Sequence, residues 1–109
     1  MVVWTANDLG ERIIATVVET AMTPVPANFR MKRVILDDGR NLIASPGHPT
    51  AAGRPLGGYQ VGDTMDGALV TAVEDVEYHG KATYDILPAG KTGMYWANGI
   101  LLKSTLAIK

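Results

Sequence analysis

The stretch "KATYDILPAGKTGMYWANGILLKSTLAI" (residues 81–108) decides the fold. It divides into three apolar runs, 81–89, 93–97 and 99–108, parted by Gly90-Lys91-Thr92 and by Asn98. Each run is short and rich in β-branched or aromatic residues, so each reads as a strand. Alternation along the first run places Tyr84 and Ile86 on one face, and Asp85 and Leu87 on the other. Asp85 is therefore a carboxylate inside an otherwise apolar strand. It either faces solvent or is held by partners, because unpaired burial of a charge is costly.

The same texture continues upstream. "MVVWTA" (1–6) reads as a short strand, and "FRMKRVILDDGRNLIAS" (29–45) reads as a hairpin. Its arms meet at Asp38-Gly39, the pair favoured by tight primed turns whose two central residues need positive φ. Residues 61–80 hold apolar runs around two breaks, Gly62-Asp63 and Asp66-Gly67. Residues 9–21 are ambiguous. Leu9, Ile13, Ile14, Val17, Val18 and Ala21 fit helical spacing, with Asp8 as an N-cap. The β-branched run Ile-Ile, Thr-Val-Val and Thr20, followed by Thr-Pro-Val-Pro, favours a strand. The expected fold is a single all-β domain over residues 1–109, without repeat or linker.

Composition limits the function classes. Ten basic and eleven acidic residues are well mixed, for a net charge of −1, so nucleic-acid and anionic-membrane partners are not expected. No apolar run approaches the about 18 residues that a membrane helix needs. The N-terminus lacks a basic n-region, so it does not read as a signal peptide, and the cellular location stays open. With no cysteine, disulfides, thiolate metal sites and thiol nucleophiles are excluded within these residues.

The chemistry-bearing candidates are few. His48 lies in "LIASPGHPT" (42–50), where an apolar run ends in Ser-Pro-Gly-His-Pro. It is either a general acid–base at a strand–loop junction, with Ser45 orienting the same substrate group, or a loop histidine bonded to nearby backbone. His79, before Gly80, reads as a solvated turn residue, and its spacing from His48 is not that of a metal site. "GKT" (90–92) lacks the upstream glycine of a phosphate loop, and "GRPLGG" (53–58) reads as a turn. No cofactor or metal is expected.

Taken together, these pieces resemble the Hint domains: hedgehog autoprocessing domains, inteins and bacterial intein-like domains. The resemblance runs from about Val3 to Leu106. "GRNLIASPGHPT" is similar to the family's T-x-x-H block, with Ser45 at the Thr position and His48 at the His position. "GGYQVGDTMDG" resembles the L-x-x-G-D connection after it. "TYDILPAGKTGMYWANGILLKST" resembles the C-terminal blocks, a "VYDL" strand followed by "HNFxANGIxxHN" and then Cys, Ser or Thr. The resemblance implies an all-β horseshoe of short strands with pseudo-twofold symmetry. It also implies a reaction in which an N-terminal Cys or Ser attacks the preceding peptide carbonyl. The block histidine, here His48, would polarise the scissile amide and protonate its nitrogen, with Ser45 helping to hold it. Asp85 falls on the aspartate that helps activate the splice junction in inteins, and Thr105 on the downstream nucleophile position. An amide nitrogen leaves poorly unless protonated and twisted out of resonance, which is why the reaction needs these groups.

The sequence also departs from that pattern. The family's nucleophile lies upstream of the strand that "VVWT" matches, so the family's first strands are expected to be missing from residues 1–109. Lys103 stands at the penultimate His, Ser104 at the terminal Asn, and Gly93 at the assisting His. Serine cannot form a succinimide, so splicing by these residues alone is not expected. Two functions remain. One is a single-turnover autoprocessing domain acting on a flanking or fused polypeptide. The other is a non-catalytic β-domain serving as a structural or interaction module. Missing first strands would leave an unpaired strand edge, through which a dimer is expected. A ligand-binding barrel outside the family would instead place Ser45, His48 and Asp85 far apart.

Overall fold

The computed structural model describes residues 1–106. Nine strands form among them, and no α-helix. They are β1 (Val2–Ala6), β2 (Arg12–Pro24), β3 (Arg30–Leu36), β4 (Asn41–Ala44), β5 (Thr64–Met65), β6 (Ala68–Glu77), β7 (Ala82–Pro88), β8 (Met94–Ala97) and β9 (Ile100–Lys103). One 3₁₀ turn, Leu56–Gly58, lies between β4 and β5. The strands make two curled antiparallel sheets, ordered β7-β2-β1-β8-β9 and β4-β3-β6-β5.

The ambiguous segment is the long strand β2. Its N-terminal half pairs with β1, Val2 opposite Thr16 through Ala6 opposite Arg12. Its C-terminal half pairs with β7, with a register shift between Val17 and Glu19. Asp8, the N-cap candidate, lies instead in the turn between β1 and β2, where the neighbouring Asn7 carboxamide oxygen accepts from the amides of Leu9 (3.0 Å) and Glu11 (2.9 Å). In the second sheet, β3 pairs with β6 so that Lys32 faces Asp75 at 2.5 Å. Such cross-strand charge pairs favour one register over its neighbours.

Two turns differ in kind. At Asp38-Gly39 only Gly39 has positive φ (90°), and Leu36 N donates to Arg40 O across a three-residue loop. This is a type I turn with a glycine bulge, not the expected two-residue primed turn. The Asp38 carboxylate accepts from Arg40 N and Nε and stabilises the wider loop. The primed geometry occurs at Asp66-Gly67 (48°, 82°) and Asn98-Gly99 (50°, 76°), which join β5 to β6 and β8 to β9.

The core sits between the second sheet and the β8–β9 hairpin. Val34, Leu36, Leu56, Val70 and Ile100 are almost fully buried there, beside Tyr95 and Leu102. Each of these larger apolar side chains contributes about 1.5–3 kcal/mol by leaving water. The outer face of β1 and β2 carries exposed Val2, Ile14 and Val18, with Arg12 stacked between Trp4 and Trp96. The last expected strand, 99–108, ends at Lys103, because the next residues turn toward Asp85 instead of finding a ladder partner. Residues 107 and 108 of that expected strand lie outside the described residues.

Candidate functional site

His48 is presented by a β-turn. Its amide donates to Ser45 O at 3.0 Å, with Pro46 and Gly47 as the central residues. Proline fixes φ at the second position, which suits such a turn. The turn is pinned from below: Leu56 N donates to His48 O (2.9 Å) and Gly57 N to Pro46 O (2.7 Å). Gly57 is needed for this approach, since a Cβ there would lie 2.9 Å from Pro46 Cβ and 3.1 Å from its carbonyl oxygen. Beyond the histidine, Lys103 N donates to Pro49 O (3.1 Å) and ties the loop to β9.

Asp85 is 9 % exposed and faces inward beside Leu87, while Tyr84 points to solvent. Five donors converge on its carboxylate. Oδ1 accepts from Ile86 N and the Tyr95 hydroxyl, both at 2.8 Å. Oδ2 accepts from Thr105 N (2.6 Å), from the Thr105 hydroxyl and, at 3.4 Å, from the Ser104 hydroxyl. The Tyr95 oxygen in turn lies 3.1 Å from His48 Nε2, so one continuous chain runs Thr105–Asp85–Tyr95–His48.

The electrostatics follow from these contacts. Burial raises the proton affinity of Asp85, but the donors from Thr105, Tyr95 and Ile86 outweigh it and hold the carboxyl below its ordinary range. Burial also pushes His48 below its ordinary value, opposed by the Asp85 charge. Tyr95 is driven far up, first by burial and then by its bond to Asp85 and the charge there, so it remains a phenol.

His48, Asp85, Ser45 and Thr105 all border one open hollow of about 500 Å³, whose apolar wall includes Val25, Pro26 and Phe29. The four expected site residues are thus together. Ser45 supplies its carbonyl to the turn, and its hydroxyl lies 3.9 Å from Met31 Sδ. His79 is elsewhere, with an 88 % exposed side chain in the β6–β7 turn, 3.9 Å from Glu77. Sequence reasoning missed two members, Tyr95 and Ser104. The available signal was a tyrosine in an inward-facing strand position, whose hydroxyl needs a partner once buried.

No protein-family model matches the chain, and no curated protein matches it. Solved structures do. A consensus engineered intein with an atypical split site superposes with a TM-score of 0.71 at 24 % identity, covering 94 % of this chain and 81 % of that one. The DnaB intein from Synechocystis sp. PCC 6803 gives 0.70 at 16 % identity, covering 96 % and 79 %. The gp41-1 intein gives 0.62 at 17 % identity, covering 93 % of each. The chain is an all-β protein of two curled sheets, with a polar chain bordering an open hollow. Its fold is that of the Hint, or intein-like, domains.

Proposed function

We propose that the domain performs autocatalytic peptide-bond cleavage by an acyl shift on a flanking polypeptide segment. His48 is its acid–base group, and the attacking hydroxyl or thiol comes from that segment. The observation that supports this is the continuous hydrogen-bonded chain from Thr105 through Asp85 and Tyr95 to His48, opening on one hollow. Burial keeps His48 neutral near pH 7, as a proton acceptor must be. The proton of the attacking group passes to His48 as the new C–O or C–S bond forms. It is then delivered to the amide nitrogen as the C–N bond breaks. Ser45 borders the hollow where the amide would lie. Thr105, whose hydroxyl donates to the Asp85 carboxylate, would accept the acyl group. The terminal cyclisation of splicing is not part of the proposal, since Ser104 occupies the position of the asparagine.

A second reading, a non-catalytic interaction module, is favoured by one observation. Gly93 stands where an assisting histidine is expected, buried in a turn (φ 68°), its carbonyl accepting from Ser104 N at 2.8 Å. The discriminating experiment is the intact mass of the chain expressed behind an upstream segment bearing a Cys or Ser ahead of Val2. Cleavage at that residue, abolished by His48→Ala in a protein that still melts cooperatively, supports self-processing. A precursor that stays whole under all conditions supports the module.

A further inference from the structure

We infer that the Tyr95 hydroxyl is a positioning group that fixes His48 as its Nε2–H tautomer and leaves Nδ1 as the nitrogen that exchanges protons at the site. The catalytic meaning rests on the cleavage reading above; the tautomer itself follows from counting protons.

A phenol has one proton to give and lone pairs to accept with. The Tyr95 oxygen has two close neighbours, Asp85 Oδ1 at 2.8 Å and His48 Nε2 at 3.1 Å. The remaining contacts of Asp85 all come from donors: the amides of Ile86 and Thr105 and the hydroxyls of Thr105 and Ser104. The two amides can only donate, one to each carboxyl oxygen, and the full set of donors holds the carboxyl ionised. Asp85 is therefore an acceptor only, and the Tyr95 proton goes to it. His48 Nε2 must then arrive with its own hydrogen, because two lone pairs would otherwise face each other at 3.1 Å. Neutral imidazole carries one N–H, so Nδ1 is bare. When His48 takes a proton at Nδ1, the charge is felt by Asp85 through the intervening phenol, and Nε2–H does not move. This is the role that a directly bonded carboxylate fills in other acid–base histidines, here relayed through a hydroxyl.

The test needs no cleavage. The full chain, labelled with ¹⁵N-histidine, is examined at a pH where both histidines are neutral, by long-range ¹H–¹⁵N correlation. His79, 88 % exposed with Glu77 only at 3.9 Å, serves as the internal reference for a solvated ring. His48 is expected as essentially pure Nε2–H. Tyr95→Phe keeps the ring in the core but removes the acceptor, and should lower the tautomer ratio of His48 about tenfold, toward that of His79. Asp85→Asn should go further and reverse it. Three donors meet Oδ2 and two meet Oδ1, so the asparagine oxygen takes the first position and its NH₂ faces Tyr95. The phenol then donates to Nε2, and His48 becomes Nδ1–H. A wild-type Nδ1–H ring, or a His48 spectrum unchanged in Tyr95→Phe, overturns the inference. Should Asp85→Asn not fold, the phenylalanine variant alone decides. A confirmed tautomer in a chain whose extended precursor never cleaves would refute the cleavage reading and leave this one standing.

Discussion

Replacing Asp85 by alanine should destabilise the domain, and the structure fixes the sign. Two effects compete. A carboxylate only 9 % exposed has lost most of its hydration, a cost that its removal would relieve. Against this stand the five donors that would lose their acceptor. The depressed proton affinity of Asp85 decides between them: the folded protein stabilises the ionised form better than water does, so the donors win over burial. Not every donor is stranded. Tyr95 can turn to His48, and Thr105, at an exposed position, can reach water. With about two donors left poorly satisfied, the expected loss is about 2–4 kcal/mol. In a chain of this size that lowers the melting temperature by roughly 10–20 °C. Urea denaturation of wild type and Asp85→Ala at pH 7 measures it directly. The pH dependence gives a second check. A carboxyl held below its ordinary value stabilises fully above that value, near pH 4, and loses its contribution as pH falls through the folded value. The gap between the two proteins should therefore narrow only in that acid range. His48, held neutral by burial, costs the wild type stability earlier, as pH falls below about 6.5. An Asp85→Ala protein as stable as wild type at pH 7, or more so, would refute the reasoning.

Two further substitutions test how the site is held. Gly57→Ala should cost about 1–3 kcal/mol and displace the loop bearing His48, because the new methyl meets Pro46. Gly47→Ala, where a Cβ meets nothing within 4 Å, should leave the melting temperature within a few degrees of wild type, and paired thermal melts compare the two. Arg40 ties three turns together, donating to Asp38 Oδ2, Asp66 Oδ2, Asp66 O and Gly99 O. Arg40→Ala should lower the melting temperature by about 4–8 °C, and Arg40→Lys should restore only part of it, since an ammonium cannot span all four acceptors.

The strands were legible in the sequence where local chemistry decides them. Residues 81–89 and 93–97 alternate as strands should, and β7 and β8 form inside them. In residues 9–21 the β-branched run prevailed over helical spacing because β2 finds a partner on each side, β1 along one half and β7 along the other. Asp38-Gly39 misled because the dipeptide fixes only the glycine's positive φ. Loop length depends on what Asp38 can bind, and Arg40 supplied it. His48, Asp85, Ser45 and Thr105 could be named from motif spacing. That they border one hollow depends on pairings between residues far apart in sequence, such as Thr50 with Leu102, which no local pattern encodes.

Tyr95 was hidden for a different reason. In "YWANGI" it reads as one more core aromatic, and its ring does pack in the core. Only the hydroxyl distinguishes it from phenylalanine, and that oxygen matters because β7 and the His48 loop bring Asp85 and Nε2 to its two sides. The same holds at the end of β9. Ser104 stands at the position of the cyclising asparagine in the pattern the sequence resembles, yet it is not idle: its amide binds Gly93 O and its hydroxyl points at Asp85. Of the positions that depart from that pattern, Ser104 thus joins the ring of donors around one carboxylate, and Gly93 O holds its amide. Such a ring makes Asp85 a poor proton donor and a good fixed charge. On the proposed reading, proton transfer therefore belongs to His48 alone, and Asp85 acts on it through Tyr95. A pH–rate profile of precursor cleavage should accordingly show one ionisation near or below pH 6.5, moved by Tyr95→Phe.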